Sequence, residues 1–146
     1  MTINQKRKGS NWEREASKLL TSLIPESVWK RIPSSGAIGT NMSEPDLCGD
    51  IKGEVKGFPK KFRVEAKVGY GGEKQFGLKK AWLDQIAYEA NQTYSIPFLI
   101  GKFSGARSGA QVFVVVDVDT FADILNQVTK LSEELEEVYD KKLGSN

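Results

Sequence analysis

Asp46 precedes by nineteen positions the tripeptide Glu65-Ala66-Lys67, which sits inside the alternating run Lys61-Phe62-Arg63-Val64-Glu65-Ala66-Lys67-Val68. Side chains on a strand repeat with period two, so Glu65 and Lys67 share one face of a sheet, and an Asp at the head of a neighbouring strand can join them. Two carboxylates and an ammonium gathered in this way suit Mg²⁺ and a water nucleophile. Hard divalent cations take carboxylate oxygens, while a lysine beside them positions or deprotonates water and neutralises charge on a phosphate under attack. The chemistry that fits is hydrolysis of a nucleic-acid backbone. The same residues also fit a solvated strand face with a cross-strand ion pair, for which no catalysis is needed.

The composition removes several other chemistries. The chain of 146 residues contains no His and a single Cys48. It therefore has no Cys/His zinc site, no Ser-His or Cys-His nucleophile and no internal disulfide. Acid–base work falls to carboxylates, Lys, Tyr or water held by a metal. There is no apolar run long enough to span a bilayer and no secretory-type amino terminus, so the expected setting is cytoplasmic, with no membrane partner. Net charge is only +2, yet residues 1–31 carry seven Lys/Arg against three Glu and residues 52–80 carry nine against three, whereas residues 130–142 carry three against five acids. The basic excess flanks the candidate site, as a polyanionic partner requires.

The elements that must hold these residues can be read from periodicity. A helix capped by Ser10 or Asn11 carries Trp12, Ala16, Leu19, Leu20 and Leu23 on its apolar stripe and closes at Pro25, with Glu13 at the stripe's edge. Strands are expected over 28–32, over 46–51 and through the Glu65 run, with a turn over 53–60. A second helix follows, with Leu78, Trp82, Leu83, Ile86, Ala87 and Ala90 on its stripe. Strands over 96–103 and 111–116 should pair as a hairpin. Asp117 to Thr120 can cap a short helix through Val128, and an acidic helical segment runs from Lys130 to Leu143. The order predicts an α/β sandwich with a mixed central sheet of about five strands flanked by helices, divided as a domain over 1–129 and a tail over 130–146.

Taken in order, Pro45-Asp46, Glu65-Ala66-Lys67 and a following helix with an inward Gln85 resemble the PD-(D/E)xK nuclease superfamily. Within it, Arg7-Lys8-Gly9-Ser10-Asn11-Trp12-Glu13-Arg14-Glu15 and Lys30-Arg31-Ile32-Pro33-Ser34-Ser35-Gly36 look like the archaeal-type Holliday junction resolvases. The resemblance covers roughly residues 6–116 and implies the restriction-endonuclease-like three-layer form of the α/β fold. It also implies roles. Asp46 and Glu65 would be the main metal ligands, joined by Glu13 from the first helix and by the backbone carbonyl of Ala66. Lys67 would be the catalytic lysine, Arg31 would contact the phosphate, and Ser35 would lie on a loop closing over it. Arg7, Lys8 and Arg14, with Lys30 and Ser34, would bind the nucleic acid.

The cofactor implied is Mg²⁺, with Mn²⁺ as a substitute, and the substrate is branched DNA rather than a small molecule. Two cuts on opposing strands call for a homodimer, with the apolar strand Val112-Phe113-Val114-Val115-Val116 as a candidate for packing near the interface, although that strand equally suits a buried central place. Two other readings fit the same residues: an endonuclease of this fold acting on duplex, flap or nicked DNA, and a DNA-binding protein that cuts nothing. Gln85, Tyr70 and Lys102 are further candidates near the site, and Trp12, Trp29 and Trp82 are expected in the core.

Overall fold

The computed structural model describes residues 3–32, 50–105 and 109–145. The elements run α1 (Ile3–Leu23), β1 (Ser27–Arg31), β2 (Ile51–Val55), β3 (Phe62–Val68), α2 (Lys80–Gln92), β4 (Ile96–Lys102), β5 (Val112–Val115) and α3 (Val118–Gly144). The chain divides into two units, 1–115 and 116–146. The first holds the sheet with α1 and α2; the second is α3.

The five strands lie in the order β1-β2-β3-β4-β5. β1 pairs antiparallel with β2, β2 antiparallel with β3, β3 parallel with β4, and β4 antiparallel with β5. The sheet is therefore mixed, as expected, and the strand that carries Glu65 and Lys67 is at its centre. The parallel pair is joined through α2, the crossover that two parallel strands need. On β4 the consecutive residues Phe98, Leu99, Ile100 and Gly101 are all buried, so both faces of the sheet are covered. α1 packs on β1 and β3, and α2 on β3 and β4, giving the helix–sheet–helix layering.

α1 buries Trp12, Ala16 and Leu20, a four-residue spacing that keeps one face on the sheet. Its amino end extends seven residues beyond the expected cap at Ser10, because nothing in the polar stretch before it breaks a helix. The chain leaves α1 at Pro25, and Glu26, at φ 58°, turns it into β1 in a left-handed conformation.

β2 departs most from expectation. It spans Ile51–Val55 rather than 46–51, and residues 33–49 lie outside the described part of the chain. Gly53, expected in a turn, is a buried strand residue, and a Cβ there would run into the Trp29 indole. Trp29 in turn meets Phe62 at 5.5 Å and Phe98 at 5.9 Å between ring centroids. The glycine is thus a flat seat for an aromatic cluster, and the turn belongs to Gly57, at φ 83°.

β5 is an edge strand, paired on one side to β4, with Val114 exposed, so the buried central place is excluded. α3 is one unbroken helix where two helical segments were expected, and none of its residues is buried. No helix among the described residues is long and apolar enough to cross a membrane.

Candidate active site

Glu65 and Lys67 alternate with the buried Val64 and Ala66 on β3, and this places them together on one face as the period of the strand requires. Lys67 Nζ lies 3.1 Å from Glu65 Oε1. It also stands 4.9 Å from the centroid of the Trp82 ring on α2, and Lys79 Nζ lies 5.5 Å from the same ring. The indole thus lies within cation–π range of two ammonium groups, of which that of Lys67 stands beside the carboxylate.

The aspartate that meets them is Asp50, at the head of β2. Its backbone N–H donates to Val64 O at 3.0 Å, and its side-chain Oδ2 accepts from the Ala66 N–H at 2.9 Å. The residue between Glu65 and Lys67 thus anchors the carboxylate from the next strand. Asp46, the sequence candidate, lies outside the described residues, as do Ser34 and Ser35. Reading β2 as starting at 46 hid Asp50. The signal that would have found it is the alternation Ile51, Gly53, Val55, which puts Asp50 at the strand's head.

Glu13 faces the same region from α1. Its Oε2 accepts from Arg31 Nε at 2.7 Å, while Arg31 Nη2 donates to Ser10 Oγ at 2.9 Å. Glu13 is thereby committed to Arg31. A cleft of about 410 Å³ collects Ser10, Glu13, Asp50, Glu65, Lys67 and Trp82, and Lys8, Tyr70 and Lys79 also line it.

Burial is the largest influence on Glu65, raising its carboxyl, with the Asp50 charge, to about 8 against the pull of Lys67. Burial likewise raises Glu13, opposed by its hydrogen bond from Arg31. Like charges crowded in a low-dielectric cleft make a place that favours a cation. The carboxylate oxygens of Asp50 and Glu65 are the hard donors a small divalent ion takes. Among the described residues no group of three or more such side chains closes around one point. The donor set fits an open, one-sided ion site completed by solvent and substrate oxygens, not a closed cage of three carboxylates.

The other candidates take several places. Lys8 reaches the cleft, donating to Ser104 Oγ at 2.8 Å and standing 5.6 Å from the Tyr70 ring. Arg7 and Arg14 are exposed on α1. Lys30 lies in a separate recess with Lys52, Lys61 and Arg63. Gln85 donates to Glu89 at 3.1 Å on its own helix, and Lys102 pairs with Glu15 at 3.0 Å. Trp12 and Trp29 are core residues, whereas Trp82 lines the cleft, a role its place on an apolar helical stripe concealed.

The chain can be set beside known proteins. Residues 4–143 match the family described as "Phage putative PDDEXK endonuclease". No curated protein matches. Among solved structures, Hjc, a Holliday junction resolvase from Archaeoglobus fulgidus, is similar at 15% identity and a TM-score of 0.47, over 79% of this chain and 88% of that one. The match spans α1 to α3 and includes every cleft residue named above, and the chain therefore belongs to this PD-(D/E)xK endonuclease family.

Proposed function

We propose that the protein is a structure-selective endonuclease that resolves four-way (Holliday) DNA junctions by Mg²⁺-dependent phosphodiester hydrolysis, nicking opposed strands as a homodimer. The observation that carries the reading is the convergence of Asp50, Glu65 and Lys67 in one cleft rimmed by Lys8 and Lys79. A bound Mg²⁺, held by Asp50 and Glu65, would supply Lewis-acid stabilisation of the charge that develops on the phosphate.

The chain's own groups do the rest. Lys67, 3.1 Å from Glu65, holds a water for attack and neutralises a phosphate oxygen. Arg31 uses Nε and Nη2 on Glu13 and Ser10, which fixes the guanidinium beside two residues that line the cleft. Lys8 and Lys79 take flanking phosphates, contacts that position DNA without reading sequence. Selectivity for junctions is supported by the two amino-terminal motifs, Arg7 to Glu15 and Lys30 to Gly36, that resemble junction resolvases. One cleft per chain makes one cut, so symmetric resolution needs two copies.

The test is cleavage of a synthetic four-way junction and a matched linear duplex, with Mg²⁺ or with chelator, by the native chain and Glu65→Gln. Paired symmetric nicks confined to the junction, lost with chelator and in the variant, are expected. Cutting of the linear duplex would move the substrate to ordinary DNA, and tight junction binding without any cut would overturn the enzyme reading.

A further inference from the structure

α3 is 27 residues long, about 40 Å of helix. Asp117 caps it, its side chain accepting from Thr120 N–H at 2.8 Å, and Lys141 and Lys142 close its last turn. Such a helix is well ended, and none of its residues is buried. Phe121, Val128, Leu131, Leu135 and Val138 are all exposed large apolar side chains. Helices of this kind take most of their stability from covering an apolar face, and an exposed patch of this extent marks a contact surface.

The spacing says what covers it. Phe121, Ile124, Val128, Leu131, Leu135 and Val138 follow one another at intervals of three, four, three, four and three residues, the a and d positions of a two-stranded coiled coil. We propose that α3 pairs antiparallel with α3 of a second copy of the chain. The seam is self-complementary in that orientation: Phe121 lies opposite Val138, Ile124 opposite Leu135 and Val128 opposite Leu131, each pairing occurring twice about the two-fold axis. No apolar layer faces a polar residue.

Charge selects the direction. The next layer outward sets Lys142 of one copy beside Asp117 of the other, an ion pair at each end of the seam. A parallel pair would instead put Lys142 against Lys142 at the same level, and would align the two helix dipoles. Beside the antiparallel seam, Val118 meets Tyr139, Leu125 meets Ser132, and Gln127 meets Glu134, so no like charges oppose. The acids Glu133, Glu136, Glu137 and Asp140 fall on outer positions facing water. The acidic character of this segment is thus the solvated back of an interface.

This pairing gives the dimer of the proposed function its interface and to that extent rests on that reading, but the experiment reads assembly and not cleavage, so either can fail without the other. Sedimentation equilibrium of the full chain should return twice the 16.2 kDa chain mass, and Leu131→Asp, at an exposed position, should return the single mass with the near-ultraviolet dichroism of the buried tryptophans of residues 1–115 unchanged. Orientation is read by oxidation in a Cys48→Ser background. Ile124→Cys mixed with Leu135→Cys should give a disulfide between the two variants, and neither should link to itself. A chain that stays monomeric at every concentration, a dimer indifferent to Leu131→Asp, or Ile124→Cys linking to itself would each overturn the proposal.

Discussion

Asp50 Oδ2 accepts a hydrogen bond from the backbone N–H of Ala66 at 2.9 Å, so the residue separating Glu65 from Lys67 orients the carboxylate of the neighbouring strand. The bond runs across the β2–β3 pairing and fixes the side chain by main-chain geometry. A group held this way is already in position before a substrate arrives, which is how charge stabilisation becomes efficient.

Asp50→Asn should therefore lower cleavage by at least roughly 100-fold, the scale on which losing one charge-stabilising group registers. It should leave the fold intact, because the amide can still accept from Ala66. Asp46→Asn, assayed beside it, decides between the aspartate the sequence suggested and the one at the head of β2. Full activity of Asp50→Asn would remove Asp50 from the site.

Glu65 gives a pH signature in the metal-free protein. Its ordinary value is 4.5, and burial followed by the Asp50 charge raises it to about 8 in the fold. Between those values the folded chain keeps a proton that the unfolded chain has released. Its contribution to stability is complete below about pH 4.5, declines as pH rises towards about 8, and is gone above it. Glu65→Gln, neutral throughout, should lack that decline. Denaturant melts of both proteins with chelator, from about pH 5 to about pH 9, check it; parallel curves would refute it.

The Glu13–Arg31 pair ties α1 to β1 at 2.7 Å with both side chains partly shielded. Glu13→Ala should cost about 1–2 kcal/mol, chiefly by leaving Arg31 without its acceptor. In the double-mutant cycle with Arg31→Ala, a coupling of about 1 kcal/mol is expected. Independent, additive effects would show that the pair is decorative.

Gly53→Ala tests the seat beneath Trp29, where a Cβ has no room. Either the indole or β2 must shift, at about 1–3 kcal/mol of stability. The denaturation midpoint should fall with an unchanged slope. A neutral result would mean that the aromatic cluster is looser than its ring separations indicate.

Lys8 tests the DNA contact. Lys8 lines the cleft; if it takes a phosphate as proposed, Lys8→Ala should weaken binding evenly across junction sequences and reduce the slope of log affinity against log salt by about one. A change confined to some sequences would argue for a different role.

What the sequence disclosed and what it hid follow from range. β3, α2 and the β4–β5 hairpin were legible because alternation and helical spacing are local and strong. β2 was not: its inward positions are Ile51 and Gly53, and a glycine reads as a turn until the indole above it is known. Asp50 disappeared with that strand, and Asp46 lies outside the described residues. Glu13, Glu65 and Lys67 line one cleft, and Glu13 is paired with Arg31. α3 was divided at its change of charge, although its apolar spacing runs straight across.

Trp82 has one more consequence, an optical one. Trp12 and Trp29 are 3% and 6% exposed, so their emission is that of shielded indoles. Trp82 lies half-buried at the cleft with Lys67 Nζ 4.9 Å from its ring centroid. A cation above an indole shifts the energy of its excited state, and a ligand that draws Lys67 towards itself alters that shift. Trp29, packed against Phe62 and Phe98, serves as an internal standard, whereas Trp12 has Lys102 Nζ 5.3 Å from its own ring centroid. The protein carries its own unlabelled fluorescent reporter of what enters the cleft.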